Sequence, residues 1–161
     1  MVLKAFVIFV RDVDTSRTFY QQALGQVVTA DHGENVVFTS GLSIWEAEHA
    51  RGIIFGEKRK NAALPGAENL EIYFETDDLD NALDKLKESG AVIIQPVHEE
   101  PWGQLTFRCA DPDGHVVEIA EPITSSIRRL SGGGYSPEQI VERTSMPMEL
   151  VLQTIGWPRF C

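Results

Sequence analysis

The sequence predicts an α+β fold made of two βαβββ modules, followed by a C-terminal helical hairpin. Short segments with a strand period of two residues alternate with segments that have a helical period of about 3.6 residues. The order strand, helix and three strands occurs twice, within residues 1–50 and 69–122, so the chain contains an internal repeat. Residues 51–68 are the predicted connector within this 1–122 domain, and residues 123–161 are the predicted helical extension.

The first module begins with the strand KAFVIFV and a turn from Asp12 to Asp14 that caps the helix TSRTFYQQAL. Gly25 ends this helix, since glycine readily adopts the left-handed conformation found at helix C-termini. Three short strands follow, QVVTA, NVVFTS and LSIWEAE, and the polar segments DHGE and SG separate them.

The second module repeats this order after the connector. It contains the strand LEIYFET, a turn from Asp78 to Asp80, and the helix NALDKLKES, which ends at Gly90. The strands AVIIQPV, QLTFRCA and HVVEIAE complete it, and the last strand follows the sequence DPDG at 111–114, whose residues favour a tight turn.

Aligning the modules shows which residues share a face of the predicted sheets. An offset of 66 residues aligns the two capping turns and pairs Ala5 with Glu71, and an offset of 73 at the last strands pairs Trp45 with Glu118. One face is entirely apolar and is expected to pack against the helices; its residues are Phe6, Ile8, Val10, Leu42, Ile44, Leu70, Ile72, Phe74, Val117 and Ile119. The other face mixes aromatic, small and acidic residues, as ligand cavities do; its residues are Ala5, Val7, Phe9, Ser43, Trp45, Glu71, Tyr73, Val116 and Glu118.

Composition and charge exclude several classes of protein. With 161 residues, 43% of them hydrophobic, the chain is long enough for a compact domain. The net charge of -10 opposes binding to nucleic acids and to anionic membranes, so the predicted partner is a small molecule. The N-terminal sequence lacks signal-peptide features and no apolar run could span a bilayer, which predicts a cytoplasmic location. Cys109 and Cys161 fit neither a disulfide framework nor a metal site.

Three segments resemble the vicinal oxygen chelate superfamily: FVRDVDTSRTFYQQALG, FETDDLDNALDKLKESGA and EEPWGQLTFRCADPDGHVVEIAEP. This superfamily contains glyoxalase I, bleomycin-resistance proteins, fosfomycin-resistance proteins and extradiol dioxygenases, and the resemblance covers about residues 1–122. It implies two βαβββ modules whose sheets curl around a cavity, commonly in a homodimer. It implies no single reaction, because the superfamily includes lyases, isomerases, dioxygenases, thiol transferases and proteins that only bind.

In metal-dependent members of the superfamily, the ligands come from the first and last strands of each module. The resemblance carries these positions over to Ala5, Trp45, Glu71 and Glu118. A methyl group and an indole cannot coordinate a cation, and a catalytic divalent site needs about three or more protein ligands. No metal cofactor is therefore expected; the alternative is a divalent metal ion held by Glu71 and Glu118. Shifting the fourth strand by one residue would replace Trp45 with Glu46, but it would also turn apolar side chains into the cavity.

Two interpretations of Glu71 and Glu118 stay open. They can be ordinary carboxylates at the mouth of the cavity or pair with an arginine such as Arg108. They can instead face each other across a partly apolar cleft and hold a cationic or aromatic ligand, or one can act as a general base. Trp102 lies in the EEPWG loop, where it packs under the turn or closes over the site, and His98 is the only histidine expected near the cavity rim. The predicted ligand-binding residues are Phe9, Trp45, Glu71, Tyr73, Glu118 and Trp102, and no catalytic residue is assigned.

The extension contains a glycine joint at 132–134 and then two short predicted helices. Ser136 caps the first helix and Pro137 is its first residue, a break at 145–147 follows, and the second helix runs to Gly156. The pair resembles a helix-turn-helix. Because the second helix has no cluster of lysines and arginines, docking of its apolar residues on the domain or on a second subunit is the favoured interpretation.

The predicted function is metal-independent binding or sequestration of a small cationic or aromatic molecule, as in bleomycin-resistance proteins. A metal-dependent lyase, isomerase or dioxygenase of the glyoxalase type is the alternative, and a ligand-sensing regulator ranks third. The enzyme interpretation requires a metal or an essential acid–base residue, and the regulator interpretation requires nucleic-acid affinity that depends on the extension.

Overall fold

The structure of the protein is a computed structural model that describes residues 4–56 and 70–156. Within these ranges it contains eight strands and six α-helices. The strands are β1 (Phe6–Val10), β2 (Val28–Asp31), β3 (Asn35–Phe38), β4 (Leu42–Glu46), β5 (Glu71–Glu75), β6 (Val92–Glu99), β7 (Leu105–Ala110) and β8 (Val116–Ala120). The helices are α1 (Val13–Thr18), α2 (Ala47–Phe55), α3 (Leu79–Glu88), α4 (Ile123–Gly132), α5 (Pro137–Thr144) and α6 (Met148–Thr154).

The strands form two four-stranded sheets with the same internal order. The first sheet has the order β1-β4-β3-β2 and the second has the order β5-β8-β7-β6. In the first sheet β1 runs parallel to β4 and places Phe9 opposite Trp45, whereas β3 and β4 are antiparallel. Gly41 and Gly114, which precede the last strand of each module, share a left-handed φ of 89° that favours glycine. The predicted α+β fold of paired βαβββ modules is therefore confirmed.

The hydrogen bonds that start the two module helices repeat as well. The Asp12 carboxylate accepts a hydrogen bond from the backbone N–H of Thr15 at 2.6 Å, and the Asp78 carboxylate accepts one from the backbone N–H of Asn81 at 3.0 Å. In both modules the aspartate bonds the residue three positions ahead, which is the usual geometry of a helix N-cap. The offset of 66 residues thus relates equivalent atoms as well as similar sequence.

The first module helix contains one residue more than the second. Gly25 lies thirteen positions after Asp12, whereas Gly90 lies twelve positions after Asp78. The extra residue coincides with a π-helical segment at Phe19–Ala23 that continues from α1. Because a π turn accommodates an extra residue within a helix, the cap and the terminal glycine keep equivalent places in the two modules.

The sequence prediction is wrong for residues 47–55, where it assigns the end of a strand and the start of the connector and the structure has α2. The helix begins here because the Glu46 carboxylate accepts hydrogen bonds from the backbone N–H groups of Glu48 and His49, at 3.1 and 2.6 Å. Glutamate is not among the common N-cap residues, so the sequence contains only a weak helix-start signal. The remaining connector residues, 57–68, lie outside the described part of the chain.

Three helices, and not only the predicted hairpin, follow the second sheet. The predicted pair corresponds to α5 and α6, and α4 is an additional helix that begins directly after Pro122. Ser136 and Gln139 form a capping box at the start of α5, and Ser145 ends this helix with a left-handed φ of 57°. The hairpin docks on α4 through a shared core of buried apolar side chains: Ile127, Leu130, Ile140 and Val151.

The chain divides into two compact units. The first includes the first sheet, α1 and α2, together with the later segments Asp84–Val92 and Ala110–Val116. The second includes most of the second sheet and α4 to α6. Asp111 connects its segment to the first unit, because its carboxylate accepts a hydrogen bond from the Tyr20 hydroxyl at 2.9 Å. No helix in the described ranges is long and apolar enough to cross a membrane.

Candidate functional site

A groove opens on the face of the first sheet that carries Trp45. Its volume is about 450 Å³, which is within the range of small-molecule pockets. Its lining comes from the first sheet, the residue before β1, the β2–β3 turn and the first turn of α2: Ala5, Val7, His32, Glu34, Asn35, Val37, Ser43, Trp45 and His49. Ile8 and Ile44, predicted for the opposite face, are buried, whereas Phe6 at the start of β1 is exposed instead of packing under a helix.

Trp45 forms the aromatic wall of the groove and Phe9 supports it. The centroids of the two rings are 6.3 Å apart and their planes are nearly perpendicular, at 86°. This edge-to-face arrangement is favourable for aromatic pairs. The His49 ring also lies close to the indole, at 6.2 Å between centroids. Because β1 and β4 pair Phe9 with Trp45 and the Glu46 side chain caps α2, the predicted register with Trp45 on the groove face is confirmed.

Asn35 provides a fixed polar group in the groove. Its side-chain Nδ2 donates hydrogen bonds to Ser43 Oγ at 3.0 Å and to the Ile44 carbonyl at 3.2 Å. Ser43 Oγ in turn donates to the Val36 carbonyl at 3.1 Å. Nδ2 of Asn35 thus donates both of its hydrogens to the sheet, and these two bonds set the orientation of the side-chain amide.

On the second sheet, Glu118 pairs with Arg108, as one of the two interpretations of the sequence expects. The Glu118 side chain is buried and accepts a hydrogen bond from Nη2 of Arg108. Nη1 of the same arginine donates to the Glu100 carboxylate at 2.8 Å, and the His98 ring contacts that carboxylate at 3.1 Å through Nε2. Glu118 therefore belongs to an ion-pair cluster and is not exposed at a cavity mouth.

Tyr73 and Trp102 meet through a shared glutamine. Trp102 Nε1 donates to Gln104 Oε1 at 3.0 Å, Gln104 Nε2 donates to the Tyr73 hydroxyl at 2.8 Å, and that hydroxyl donates to the Glu75 carboxylate at 2.9 Å. The tyrosine ring is half exposed, but burial around its hydroxyl and the bond to Glu75 raise the pKa of Tyr73 to about 12. The phenol therefore stays protonated at neutral pH.

The residues at the four implied metal positions do not fit a divalent ion. Ala5 and Trp45 line the groove without a suitable donor atom, Glu118 is bonded to Arg108, and Glu71 lies at the exposed first position of β5. Among residues 4–56 and 70–156, no group of three or more His, Cys, Asp or Glu is arranged to hold a metal ion. A catalytic divalent site needs about three such ligands.

The sequence analysis did not assign His32, Glu34, Asn35 or His49 to the groove. The period of two along β3 places Asn35 and Val37 on one face, so alternation alone could have found Asn35. His32 and Glu34 belong to the turn before β3, and His49 reaches the groove only because α2 begins at residue 47. Turn and helix geometry of this kind left no periodic signal in the sequence.

Paired βαβββ modules with a ligand-sized groove define the vicinal oxygen chelate class of proteins. A family model described as a glyoxalase-like domain matches residues 3–124, and the chain belongs to this family. The match ends at residue 124, so α5 and α6 lie beyond the family domain.

Solved structures share this fold. A protein of unknown function from Agrobacterium tumefaciens C58 is 32% identical, with a TM-score of 0.67, and the alignment covers 76% of this chain and 94% of that one. A glyoxalase/bleomycin resistance protein/dioxygenase family enzyme from Burkholderia phytofirmans PsJN is 19% identical, with a TM-score of 0.66 and coverage of 74% and 97%. A lactoylglutathione lyase from Agrobacterium tumefaciens is 20% identical, with a TM-score of 0.56 and coverage of 74% and 92%. The last two similarities show the fold alone, and a search of curated proteins gave no significant match.

Proposed function

We propose that the protein binds a small, flat organic molecule in the groove of the first sheet, without a metal ion. The observation that carries this proposal is the placement of Ala5 and Trp45. These residues stand at two positions where the resemblance to metal-dependent proteins implies ligands, and both line a groove of about 450 Å³. A methyl group and an indole in place of two ligands convert a coordinating surface into an apolar, aromatic one.

The groove lining favours an aromatic ligand with a hydrogen-bond donor. Trp45 offers an indole for stacking, and Val7 and Val37 offer apolar contact. The Asn35 side-chain carbonyl offers an acceptor whose direction is fixed by the two bonds of the amide nitrogen. Glu34 is the carboxylate among the lining residues, so a positively charged group on the ligand is favoured beside it. In this proposal Glu34, and not Glu71 or Glu118, provides the attraction for cations.

We assign binding or sequestration to the protein, and not metal-dependent lyase or dioxygenase chemistry, because of the available donor atoms. Glu118 and Glu100 are already engaged by Arg108, and the groove carries no set of ligands suited to a divalent ion. A bound molecule held by stacking and one or two hydrogen bonds needs none of that chemistry.

The test follows the fluorescence of Trp45 alone. In a background with Trp102→Phe and Trp157→Phe, Trp45 is the single tryptophan. We expect planar aromatic amines to quench or shift its emission more strongly than matched neutral aromatics, and Glu34→Gln to reduce that difference.

A matched pair of variants locates the site. Val7→Phe narrows the groove and should weaken binding about tenfold or more. Val27→Phe is the control, because both valines are exposed but only Val7 lines the groove. Equal ligand affinity in the two variants would contradict the placement of the ligand in this groove.

One tightly held divalent ion per chain after dialysis, lost on Glu118→Ala, would favour a glyoxalase-type lyase or dioxygenase instead.

A further inference from the structure

Two partly exposed aromatic side chains of the second unit have their polar ends bonded inside the protein. Tyr73 on β5 is 48% exposed, and Trp102 in the loop between β6 and β7 is 39% exposed. Trp102 Nε1 and the Tyr73 hydroxyl are both bonded to the Gln104 carboxamide, and Gln104 is buried. Aromatic side chains at a surface usually turn the polar end towards water and bury the ring. Here both polar ends are bonded within the chain, so the surface presented to water is mainly ring carbon.

The shared glutamine limits the distance between the two aromatic side chains. The oxygen and nitrogen of one carboxamide are about 2.3 Å apart. With bonds of 3.0 Å from Trp102 Nε1 and 2.8 Å to the Tyr73 hydroxyl, these two polar atoms lie within about 8 Å of each other. A flat molecule of fused rings has a similar length, so one ligand can contact both side chains.

Gln104 is itself fixed in place. Its Nε2 also donates to the Glu121 carbonyl at 2.6 Å, so both amide hydrogens and the amide oxygen have partners in the chain. Because the carboxamide cannot turn without breaking these bonds, it holds the polar ends of both aromatic side chains. Side chains that are already ordered lose little conformational freedom when a ligand binds.

The C-terminal helices support the loop that carries Trp102. Gly103 has a left-handed φ of 88°, and a Cβ atom at this position would lie only 3.0 Å from Leu130 Cδ1 and 3.3 Å from Arg143 Nε. Arg129 on α4 donates to the Gly103 carbonyl. The loop backbone thus packs directly on α4 and α5, and α5 lies beyond the residues that the family model matches.

We propose that Tyr73 and Trp102 form a second binding surface, for a flat aromatic molecule that stacks on their rings, and that Gln104 positions both side chains. The exposed Glu75 carboxylate accepts the hydrogen bond of the Tyr73 hydroxyl at 2.9 Å, which favours a positive charge on the ligand beside it. This inference does not depend on the proposed function, because the described lining of the first-sheet groove contains neither aromatic residue.

The test uses the full chain with Val7→Phe, which narrows the first-sheet groove and leaves the second surface intact. The probe is proflavine, a planar aromatic cation, and titration calorimetry measures its binding. Adding Trp102→Leu should weaken binding about tenfold or more, because half of the stacking surface is lost. Phe6→Leu is the control and should leave the affinity unchanged, since Phe6 is also half exposed, at 51%, but lies on β1.

Two further variants separate positioning from contact. Tyr73→Phe keeps the ring but loses the bond to Gln104, so it should weaken binding about threefold. Glu75→Gln should reduce the preference for proflavine over acridine, a flat molecule that is neutral at pH 8. Undiminished affinity in Trp102→Leu would overturn the proposal, and so would a Val7→Phe chain that binds no proflavine at millimolar concentration. Neither result would affect the assignment of the first-sheet groove, which is tested by the difference between Val7→Phe and Val27→Phe.

Discussion

Arg129 should determine how firmly the C-terminal helices hold the loop that carries Trp102. Its guanidinium on α4 donates to the Glu121 carboxylate at 2.7 Å, to the Glu99 carboxylate at 3.1 Å and to the backbone carbonyl of Gly103. One side chain thus joins the extension to the end of the second sheet and to the loop between β6 and β7. Arg129→Ala removes all of these bonds together.

The expected loss can be estimated bond by bond. Arg129 and Glu99 are each 33% exposed, so their ion pair contributes only about 0.2–1 kcal/mol. Glu121 is 11% exposed, and a hydrogen bond to a charged group in that position contributes about 1.5–3 kcal/mol. Glu121 keeps hydrogen bonds from the Leu105 N–H at 2.9 Å and the Ser126 hydroxyl at 2.8 Å, which limits the loss. We expect a destabilisation of about 2–3 kcal/mol, or roughly 5–10 °C in Tm.

Thermal unfolding followed by circular dichroism measures this difference, with Arg128→Ala as the control. Arg128 is the exposed neighbour on the same helix, and its removal should cost less than about 0.5 kcal/mol. Hydrogen exchange should also become faster at Gly103, whose N–H donates to the Glu100 carbonyl within the loop, and the emission of Trp102 should shift, since the loop loses its support. The reasoning is refuted if the two arginine variants unfold at the same temperature, or if exchange at Gly103 is unchanged.

Two other predictions concern pH and the extension. Burial opposes both shifts, but the hydrogen bond between Asp111 and His115 prevails, lowering the pKa of Asp111 below 3.8 and raising that of His115 above 6.5. The Asp111 contribution to stability is therefore lost as pH falls through its lowered value, and the His115 contribution is lost as pH rises through its raised one. In denaturant titrations His115→Gln should be most destabilising near about pH 5, and an equal loss at every pH would contradict this. Truncation after Pro122 removes the Arg129 bonds to Glu121, Glu99 and Gly103, so it should lower the temperature of thermal unfolding, and gel-shift assays should detect no DNA binding by either form. Sequence-dependent DNA binding by the full chain, lost on truncation, would show that the extension is a DNA-binding element instead.

Sequence periodicity was sufficient for the eight strands, the two module helices and much of the first sheet. The repeat offsets placed Ala5 and Trp45 on one face because a strand allows only two faces, and a shift of one residue would bury the wrong side chains. Helix α2 was not predictable in the same way, since its start depends on the Glu46 side chain turning back to bond two backbone N–H groups. The groove contacts of His32 and His49 depend on that turn and helix geometry as well.

Long side chains set a second limit on sequence reasoning. Alternation places Glu118 on the face opposite Ile119 but does not say which partner its carboxylate meets. Arg108 could reach either solvent or a neighbouring strand, and only the structure shows it bonded to Glu118 and Glu100. The sequence therefore left two equal alternatives for Glu118, a carboxylate that binds a ligand or a carboxylate paired with an arginine. The choice between them decides which sheet face can accept a cation.

The two modules place different kinds of side chain at the same strand positions. In the first sheet, Asn35 fixes its amide on the backbone and leaves Trp45 facing a groove. In the second, the residues at the same offset, Arg108 and Glu118, form an ion pair, and the Glu118 side chain is buried. A buried carboxylate needs a cation close by, whether this is a metal or a guanidinium. In the proposed function, Ala5 and Trp45 serve as an apolar binding surface, while Arg108 provides a positive charge beside Glu118.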